Sequence, residues 1–434
     1  MESRLNDKRI IRAWSFFDWA NSAFALVISV AIFPAYFISS TPDVIPVLGM
    51  NISNSAIFSY SISFAYLIIV LALPFLSGIA DYSGKRKIFL KAFTWLGSLA
   101  CISLFFFTGP EKLWIGLTAF IFAQIGFDGG KVFYNSYLPV ISSPDRYDKV
   151  SAQGFAYGYI GSVLLLLVNL MMVQFPSAFG LPEGSMAARV SFVMVGLWWI
   201  GFAQIPFRRL PDDRPGPIHR GMKRGLERLR SVWQELWPQK NTVRFLTAFF
   251  FYSTGVQTIL YLAATFAEKE LDFETANLII LILILQIVAI GGAYLFAWIS
   301  RLKGNKISLI SMLIIWIMVC VLAYITQQTT QFYFVAGLVG LVMGGIQSTS
   351  RASYAKLLEG QKENELNSYF SFYEVLEKVA IVFGTFSFGL IDQLSGSMRN
   401  SILVLGLYFL IGILILTRVR FPRSGQIEKI NSTN

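Results

Sequence analysis

The sequence predicts an all-α membrane protein with 12 transmembrane helices, arranged as two pseudo-symmetric six-helix bundles. Three observations predict it: a low charge content, long apolar runs, and a repeat of the first half in the second. The 434 residues are 55% hydrophobic and only 14% charged, and the mean hydropathy is +0.59. Soluble domains carry about 25% charged residues because their surfaces face water. A chain this poor in charge is expected to lie in a bilayer.

Twelve apolar runs are each long enough, at about 20 residues, to cross the hydrocarbon layer as a helix. Six precede a polar stretch and six follow it. The first run is too long for a cleaved signal peptide and has no small-residue cleavage site. The predicted spans are 12–38, 56–80, 88–108, 113–140, 150–175, 187–208, 242–267, 275–300, 306–326, 331–358, 366–391 and 398–417.

The distribution of Lys and Arg predicts the orientation. Of 36 basic residues, 30 fall in one set of alternate loops and the termini, four fall on the opposite side, and two lie within spans. The positive-inside rule therefore predicts that both termini are cytoplasmic. Short loops favour the inner (cytoplasmic) membrane of a cell for this multi-pass chain. Nucleic acid is not an expected partner despite the net charge of +11, because the basic residues form no single face.

A turn after the second span recurs after the eighth. Gly84 and Gly304 lie 220 residues apart, each within a turn that ends in basic residues. A parallel repeat of six plus six spans is the layout of two bundles that rock around a midplane site. We predict an N-terminal bundle over 1–208, a cytoplasmic linker over 209–241 and a C-terminal bundle over 242–434.

The linker contains a segment of helical periodicity with an apolar face and a basic face. One interpretation is a helix on the inner leaflet, with its basic residues toward anionic lipid and its tryptophans in the interface. The other is an ordinary helix that tethers the two bundles. The apolar positions are Leu226, Leu229, Val232, Trp233, Leu236 and Trp237, and the basic ones are Lys223, Arg224, Arg228 and Arg230.

Residues for metal or nucleophilic chemistry are scarce. Cys101 and Cys320 each lie inside a separate apolar run, and the one histidine is His219 in the linker. A His/Cys metal centre or a Cys–His pair therefore has almost no side chains to use. We predict no catalytic residue, no metal site and no cofactor, and an intramembrane enzyme is disfavoured.

The turn between spans two and three contains two glycines, an acid and a basic cluster. Asp81 can pair with a cation on a neighbouring helix in one conformation and release it in another, while Gly78 and Gly84 permit close approach and a tight turn. We predict a gate formed by Gly78, Asp81, Gly84 and Arg86, with an ordinary solvated turn as the alternative. The turn resembles the loop signature of the major facilitator superfamily.

Three further stretches resemble one family within that superfamily, the vacuolar-effluxer-like family. They are Trp14–Phe24 with Phe33–Phe37 on span one, Phe133–Pro139 with Val150–Gly161 on spans four and five, and Gly344–Arg351 on span ten. The resemblance implies a twelve-span transporter of the major facilitator fold. The family's best-known relatives are thought to export amino acids from fungal vacuoles.

Two departures limit what the resemblance implies. The turn Trp298–Lys306 keeps the glycine and the basic end but has Arg301 where the first turn has its acid. The fifth span lacks the proline of the superfamily's antiporter motif, so an antiport mechanism is not implied.

Span one carries a small polar face near an acid. Asp18, Asn21, Ser22, Ala25 and Ser29 fall at offsets of 0, 3, 4, 7 and 11, which lie on one side of an α-helix. An ionisable group inside a span costs several kcal/mol unless it is paired or hydrated. The stripe therefore favours a water-filled cavity. The alternative is an Asp18 that sits near the inner interface and snorkels or pairs with a nearby arginine.

Span four holds Asp128 and Lys131, three residues apart and therefore on one helix face. A lysine there is disfavoured against lipid. It either neutralises Asp128 structurally or serves substrate or proton binding.

Spans ten and eleven hold further charges. Glu374 and Lys378 are four residues apart in the favourable order, and Glu377 would be left as a spare carboxylate able to carry a proton. Arg351 on span ten is an alternative partner, and Gln347 is a further candidate beside it. A purely structural ion-pair network is equally open.

These residues together favour alternating-access transport of a small polar solute, driven by protons or another coupling ion. Embedded acids beside Lys131 and Arg351 suit a zwitterion, so amino acids or small peptides are the expected substrates, moved by export. A sugar transporter of the same fold is the alternative, and a non-transporting membrane receptor or assembly factor is a second class. Membrane lipids are the other expected partners, and we expect a monomer.

Overall fold

The computed structural model describes residues 5–47, 50–182, 184–212, 221–271, 275–395 and 398–421. Long helices dominate these residues because each apolar run must satisfy its own backbone groups inside a bilayer. His219 lies outside the described residues. The helices are α1 (Lys8–Ala23), α2 (Phe33–Ser39), α3 (Asn54–Ser83), α4 (Arg86–Ser103), α5 (Leu113–Asn135), α6 (Leu138–Ile141), α7 (Tyr147–Gln174), α8 (Met186–Arg209), α9 (Gly221–Leu236), α10 (Lys240–Leu271), α11 (Thr275–Lys303), α12 (Asn305–Ile325), α13 (Thr329–Leu357), α14 (Leu366–Ser395) and α15 (Met398–Leu416).

Eleven helical segments among the described residues are long and apolar enough to cross a membrane. The predicted span that is not among these eleven is 366–391, which corresponds to α14, and the 30 residues of that helix include Glu374, Glu377 and Lys378. The all-α membrane prediction is confirmed. Predicted bounds agree with the helices to within a few residues, as for the prediction 306–326 against α12.

Span one is not a continuous α-helix. A π-helical stretch, Phe24–Ile32, connects α1 to α2. The wider π turn shifts the side chains after Ala23 away from their α-helical phase, and π turns are frequent at functional sites. The α-helical offsets used for the polar face of span one therefore hold only as far as Ala23.

A two-stranded antiparallel hairpin, β1 (Val44–Val47) and β2 (Met50–Ser53), lies between α2 and α3. Ile45 pairs with Ile52 across it. The sequence analysis did not predict this hairpin, because strands of four residues are too short for a clear alternation of apolar and polar positions.

The glycines in the two turns of the repeat both have a positive φ. Gly84 follows α3 in the left-handed region, with φ of 62°, and Gly304 separates α11 from α12 with φ of 87°. Residues with a Cβ rarely adopt such angles. The repeat therefore preserves a helix stop in both halves.

Backbone packing divides the chain into two compact units. One contains Lys8–Asn135 and Tyr157–Leu226, and the other contains Met1–Asp7, Ser136–Ala156 and Glu227–Asn434. Residues 136–156, which belong to the first half by sequence, thus pack in the unit of the second half. The predicted bundles and linker remain a prediction.

Glycines bring α11 and α13 into close contact in the second-half unit. A Cβ on Gly292 would clash with the carbonyl oxygen of Leu341, and a Cβ on Gly340 would clash with that of Leu285. Small residues at such positions let helix backbones approach closely where lipid gives no hydrophobic drive for association. These two helices therefore form a close seam within that unit.

Aromatic rings fill the core of the other unit. Phe33 stacks on Phe120 at 5.0 Å between ring centroids and meets Phe192 edge-on at 5.6 Å. Such pairs add directional contacts to the area they bury. They hold the C-terminal part of span one against α5 and α8.

Candidate functional site

Asp18 on α1 is held by a tyrosine on α5. The Tyr134 hydroxyl donates to Asp18 Oδ2 at 2.7 Å. Trp14 fixes that tyrosine, since its ring stacks on Tyr134 at 4.4 Å and its Nε1–H donates to the Tyr134 carbonyl at 3.0 Å. Asp18 is 9% exposed, so its carboxylate is kept in place by a rigid aromatic support.

Gly158 on α7 lies against the same carboxylate-bearing turn. A Cβ at Gly158 would stand 3.4 Å from the Cβ of Asp18 and would clash with Ser22 Oγ. The glycine therefore lets α7 approach α1 where the acid lies.

A second polar line runs along α5. Ser29 donates to Gln124 Oε1 at 3.2 Å, and Gln124 Nε2 donates to Asp128 Oδ2 at 2.6 Å. Lys131 Nζ lies 3.5 Å from Asp128 Oδ1. The π-helical stretch of span one, which carries Ser29, is thus connected to the embedded ion pair through an amide.

The two members of this ion pair differ in access. The Asp128 side chain is 2% exposed, whereas the Lys131 side chain is 30% exposed and lies over the Phe127 ring at 4.3 Å. A buried carboxylate and an aromatic face both stabilise the ammonium. Lys131 is therefore the accessible charge of the pair.

The structure separates Asn21 from the rest of the predicted polar face. Asn21 is 1% exposed, and its Oδ1 accepts no hydrogen bond among the described residues. Ser22, Ala25 and Ser29 are partly exposed. The predicted stripe is therefore a partly exposed row of small residues with Asn21 turned into the packed interior.

In the other unit, one lysine on α14 serves two carboxylates. Lys378 Nζ lies 2.8 Å from Glu377 Oε2 and 3.7 Å from Glu374 Oε2, and its side chain is 2% exposed. Gln257 Nε2 on α10 donates to Glu377 Oε1 at 2.9 Å. The closer carboxylate is thus Glu377, whereas the sequence pattern favoured Glu374.

Arg351 on α13 binds the segment 136–156. Its Nε donates to Ser151 Oγ and one terminal nitrogen donates to the Ser151 carbonyl, both at 2.9 Å. The guanidinium carbon lies 4.4 Å from the centre of the Phe155 ring. Gln347, also on α13, is partly exposed.

A buried polar cluster lies at the starts of α7 and α12 and at the end of α13. Lys356 Nζ donates to Asp148 Oδ2 at 2.5 Å and to Asn305 Oδ1 at 2.7 Å. Asn305 Nδ2 completes the triangle by donating to Asp148 Oδ1 at 2.7 Å, and it also meets Ser353 Oγ at 2.9 Å. We call this the Asp148 cluster. Every polar group of its lysine and asparagine side chains faces an oxygen or donor partner, as a buried ion pair requires.

Two further hydrogen bonds hold the same segment to second-half helices. Ser136 Oγ donates to Asn367 Oδ1 at 2.6 Å, and Ser151 Oγ donates to the Ser348 carbonyl at 2.8 Å. All four residues are at most 1% exposed. Segment 136–156 is therefore attached to α12, α13 and α14 at Ser136, Asp148 and Ser151.

The predicted gate turn is buried. Gly78 and Asp81 lie in the last turns of α3, Gly84 ends that helix, and Arg86 begins α4. Asp81 is 3% exposed and Arg86 is 1% exposed. An ordinary solvated turn would expose both charges, so the burial favours a packed role for the turn.

Several site residues were not singled out from the sequence. Tyr134 lies within a stretch that carries the family resemblance, but its bond to Asp18 joins residues 116 positions apart. Asp148 and Lys356 are 208 positions apart, and Lys356 was counted only as a basic loop residue. Asn305 follows Gly304 in the recurring turn, which is the one local signal that pointed to it.

Comparisons with known proteins place the chain in a family. The model of the vacuole effluxer Atg22-like family matches residues 6–428. The uncharacterized MFS-type transporter YxiO of Bacillus subtilis is 30% identical over 426 residues, covering 96% of each chain. Autophagy-related protein 22-2 of Neosartorya fischeri is 24% identical, covering 86% of this chain and 74% of that protein.

A solved structure supports the fold independently. The human organic anion transporter MFSD10 superposes with a TM-score of 0.73 at 12% identity, over 94% of this chain and 99% of the other. This likeness shows the fold of the major facilitator superfamily. The chain is therefore a transporter of that superfamily and belongs to the vacuole effluxer Atg22-like family.

Proposed function

We propose that the protein moves small zwitterionic solutes, amino acids or small peptides, by proton-coupled alternating access. The observation that carries this proposal is the embedded pair of opposite charges on α5. Lys131 offers an ammonium whose side chain is 30% exposed, and Asp128 offers a carboxylate oxygen 3.5 Å from it. A zwitterion requires one group of each kind, and charge-assisted hydrogen bonds are the strong ones.

Embedded acids support proton coupling. Asp18 accepts a hydrogen bond from the neutral Tyr134 hydroxyl at 2.7 Å. Glu374 lies 3.7 Å from the Lys378 ammonium, which is closer to Glu377. Such carboxylates in a span are default candidates for ion or proton binding. Asp128, which has both an amide donor and Lys131 beside it, is the third candidate.

The Asp148 cluster supports alternating access. It joins a segment of the first half by sequence to helices of the second half with a buried ion pair. A two-state transporter needs such a discrete contact, made in one state and broken in the other. The turn Gly78–Lys87 is a second proposed gate element, as the sequence predicts.

Export is the proposed direction, and it rests on the effluxer description of the matched family. We place the chain in the cytoplasmic membrane with both termini inside, as a monomer. The support is the distribution of basic residues and the likeness to a Bacillus subtilis protein.

The test is uptake of a labelled amino-acid panel into proteoliposomes under an imposed pH gradient. We expect saturable accumulation that depends on the gradient and is lost in Asp18→Asn or Glu374→Gln. Asp212→Asn is the matched control, because that side chain is 82% exposed. If both acid variants retain the pH dependence, the coupling assignment is wrong. If sugars accumulate and amino acids do not, the substrate class is wrong.

A further inference from the structure

The last two turns of α9 have two unlike faces. Val232 is 0% exposed and Leu236 is 4% exposed, so this face is buried in the protein. Trp233 and Trp237 are 48% and 64% exposed, and their rings stack at 5.5 Å between centroids. Two large rings thus form one continuous apolar patch on the outward side.

This end of the helix is attached to α14. The Trp233 ring lies 5.5 Å from that of Phe372. Glu235 accepts from Ser231 at 2.8 Å, and the Tyr369 hydroxyl approaches its other oxygen at 3.5 Å. The aromatic pair is therefore held in position beside a long helix, not carried on a loose linker.

The patch stands at the edge of a membrane span. Lys240, where α10 and its candidate span begin, follows Trp237 by three residues. Tryptophan is enriched at the membrane–water interface, where its apolar body and its N–H are both satisfied. A helix that only tethered two bundles through water would present polar side chains on its outward face.

Positive charge accompanies the patch. Arg230 is exposed one turn before Trp233, and the α9 sequence also contains Lys223, Arg224 and Arg228. Basic residues beside a span attract anionic headgroups, whereas aromatic rings alone do not distinguish headgroup charge.

We propose that Arg230, Trp233 and Trp237 form a binding surface for anionic phospholipid headgroups on the basic side of the membrane. The tryptophans insert at headgroup depth, and the guanidinium binds the headgroup phosphate. The inference is independent of which solute is transported.

The test uses the full chain in nanodiscs and does not require transport. The chain has ten tryptophans. The fluorescence of Trp233 and Trp237 is therefore obtained as the difference between the wild type and the double variant Trp233→Phe, Trp237→Phe. Brominated phosphatidylglycerol and brominated phosphatidylcholine quench tryptophan only on contact. We expect brominated phosphatidylglycerol to quench this difference in fluorescence at least about twofold more than brominated phosphatidylcholine at equal mole fraction. Trp114→Phe, which removes a 66% exposed tryptophan at the start of α5, is the matched control and should show no headgroup preference.

Charge removal and salt complete the test. Arg230→Gln should lower the preference for phosphatidylglycerol over phosphatidylcholine, by at most about fivefold for one basic side chain. Raising the salt concentration should lower it as well. Equal quenching by both lipids, or a preference that survives Arg230→Gln, would overturn the proposal. Quenching by neither lipid would also overturn it and would leave α9 as a water-facing tether.

Discussion

Replacing Asp148 with alanine tests whether the Asp148 cluster is a gate. The change leaves the Lys356 ammonium buried, because its side chain is only 8% exposed. Of its two oxygen partners, only Asn305 Oδ1 at 2.7 Å remains. The state in which segment 136–156 is attached therefore loses stability relative to a state in which Lys356 reaches water.

The size of the effect follows from burial. Removing one partner of a buried ion pair costs about 3–5 kcal/mol. The remaining contact with Asn305 offsets part of this cost, so we expect the attached state to be destabilised by about 2 kcal/mol. Each 1.4 kcal/mol changes an equilibrium constant about tenfold. We expect the ratio of released to attached segment to rise roughly 30-fold. Lys356→Met with Asp148→Ala should recover most of the loss, because no unpaired charge is then buried.

Cysteine accessibility measures this ratio. Val150 is 3% exposed, so Val150→Cys should react slowly with a polar maleimide while the segment is attached. The buried Cys101 and Cys320 are first replaced by alanine. Asp148→Ala should then accelerate labelling at position 150. Lys149→Cys, at an exposed neighbour, should label at an unchanged rate and controls for reagent access.

A matched acid variant separates gating from general damage. Asp145→Ala removes an acid from the same segment, but its side chain is 61% exposed and its nearest cation lies at 3.9 Å. We expect it to leave labelling at position 150 unchanged. If Asp148→Ala lowers the melting temperature without accelerating labelling, the cluster holds the fold and does not gate it.

Three further predictions concern other sites. Gly292→Ala should lower the melting temperature in detergent, because the added Cβ meets a backbone carbonyl of α13 and overpacking costs about 1–3 kcal/mol. Gly291→Ala is the control and should leave the melting temperature unchanged, because its Cβ meets open space. Lys131→Gln should raise the KM for a transported zwitterion by about 10- to 100-fold, as a lost charge-assisted hydrogen bond predicts. Lys131→Arg, which keeps a cation beside Asp128, should raise this KM much less. Asp212→Asn should change stability by less than about 1 kcal/mol although Lys87 lies 3.0 Å away, because an exposed ion pair is screened by water, and a larger loss in thermal denaturation would contradict this.

The spans could be predicted because an apolar run of about 20 residues determines a membrane helix without help from its neighbours. The helix stops at Gly84 and Gly304 could be predicted for a similar reason, since a left-handed residue is a local requirement. Embedded charges such as Asp128 and Lys131 could also be identified as candidate site residues from the sequence. The free-energy cost of placing a charge in a span depends on the membrane and not on a particular partner.

What could not be predicted depends on residues far apart in sequence. The π-helical stretch Phe24–Ile32 could not be predicted, because its amino acids do not differ from those of an ordinary apolar helix. The partner of Asp148 is 208 residues away, and a lysine near a helix end reads equally well as a topology signal. Lys378 of α14 lies closer to Glu377 than to Glu374, and spacing along the helix alone does not determine which carboxylate is closer.

The close seam between α11 and α13 has a consequence for divergence within the family. At Gly292 and Gly340 the opposing atoms are backbone carbonyls, which no change of a neighbouring side chain can remove. Compensating substitutions are therefore not available at these two positions. We expect relatives that transport other substrates to retain glycine there, even at 24% identity. A library of variants should therefore hold this seam constant, whereas Gly291 and Gly337 accept a side chain because an added Cβ meets open space.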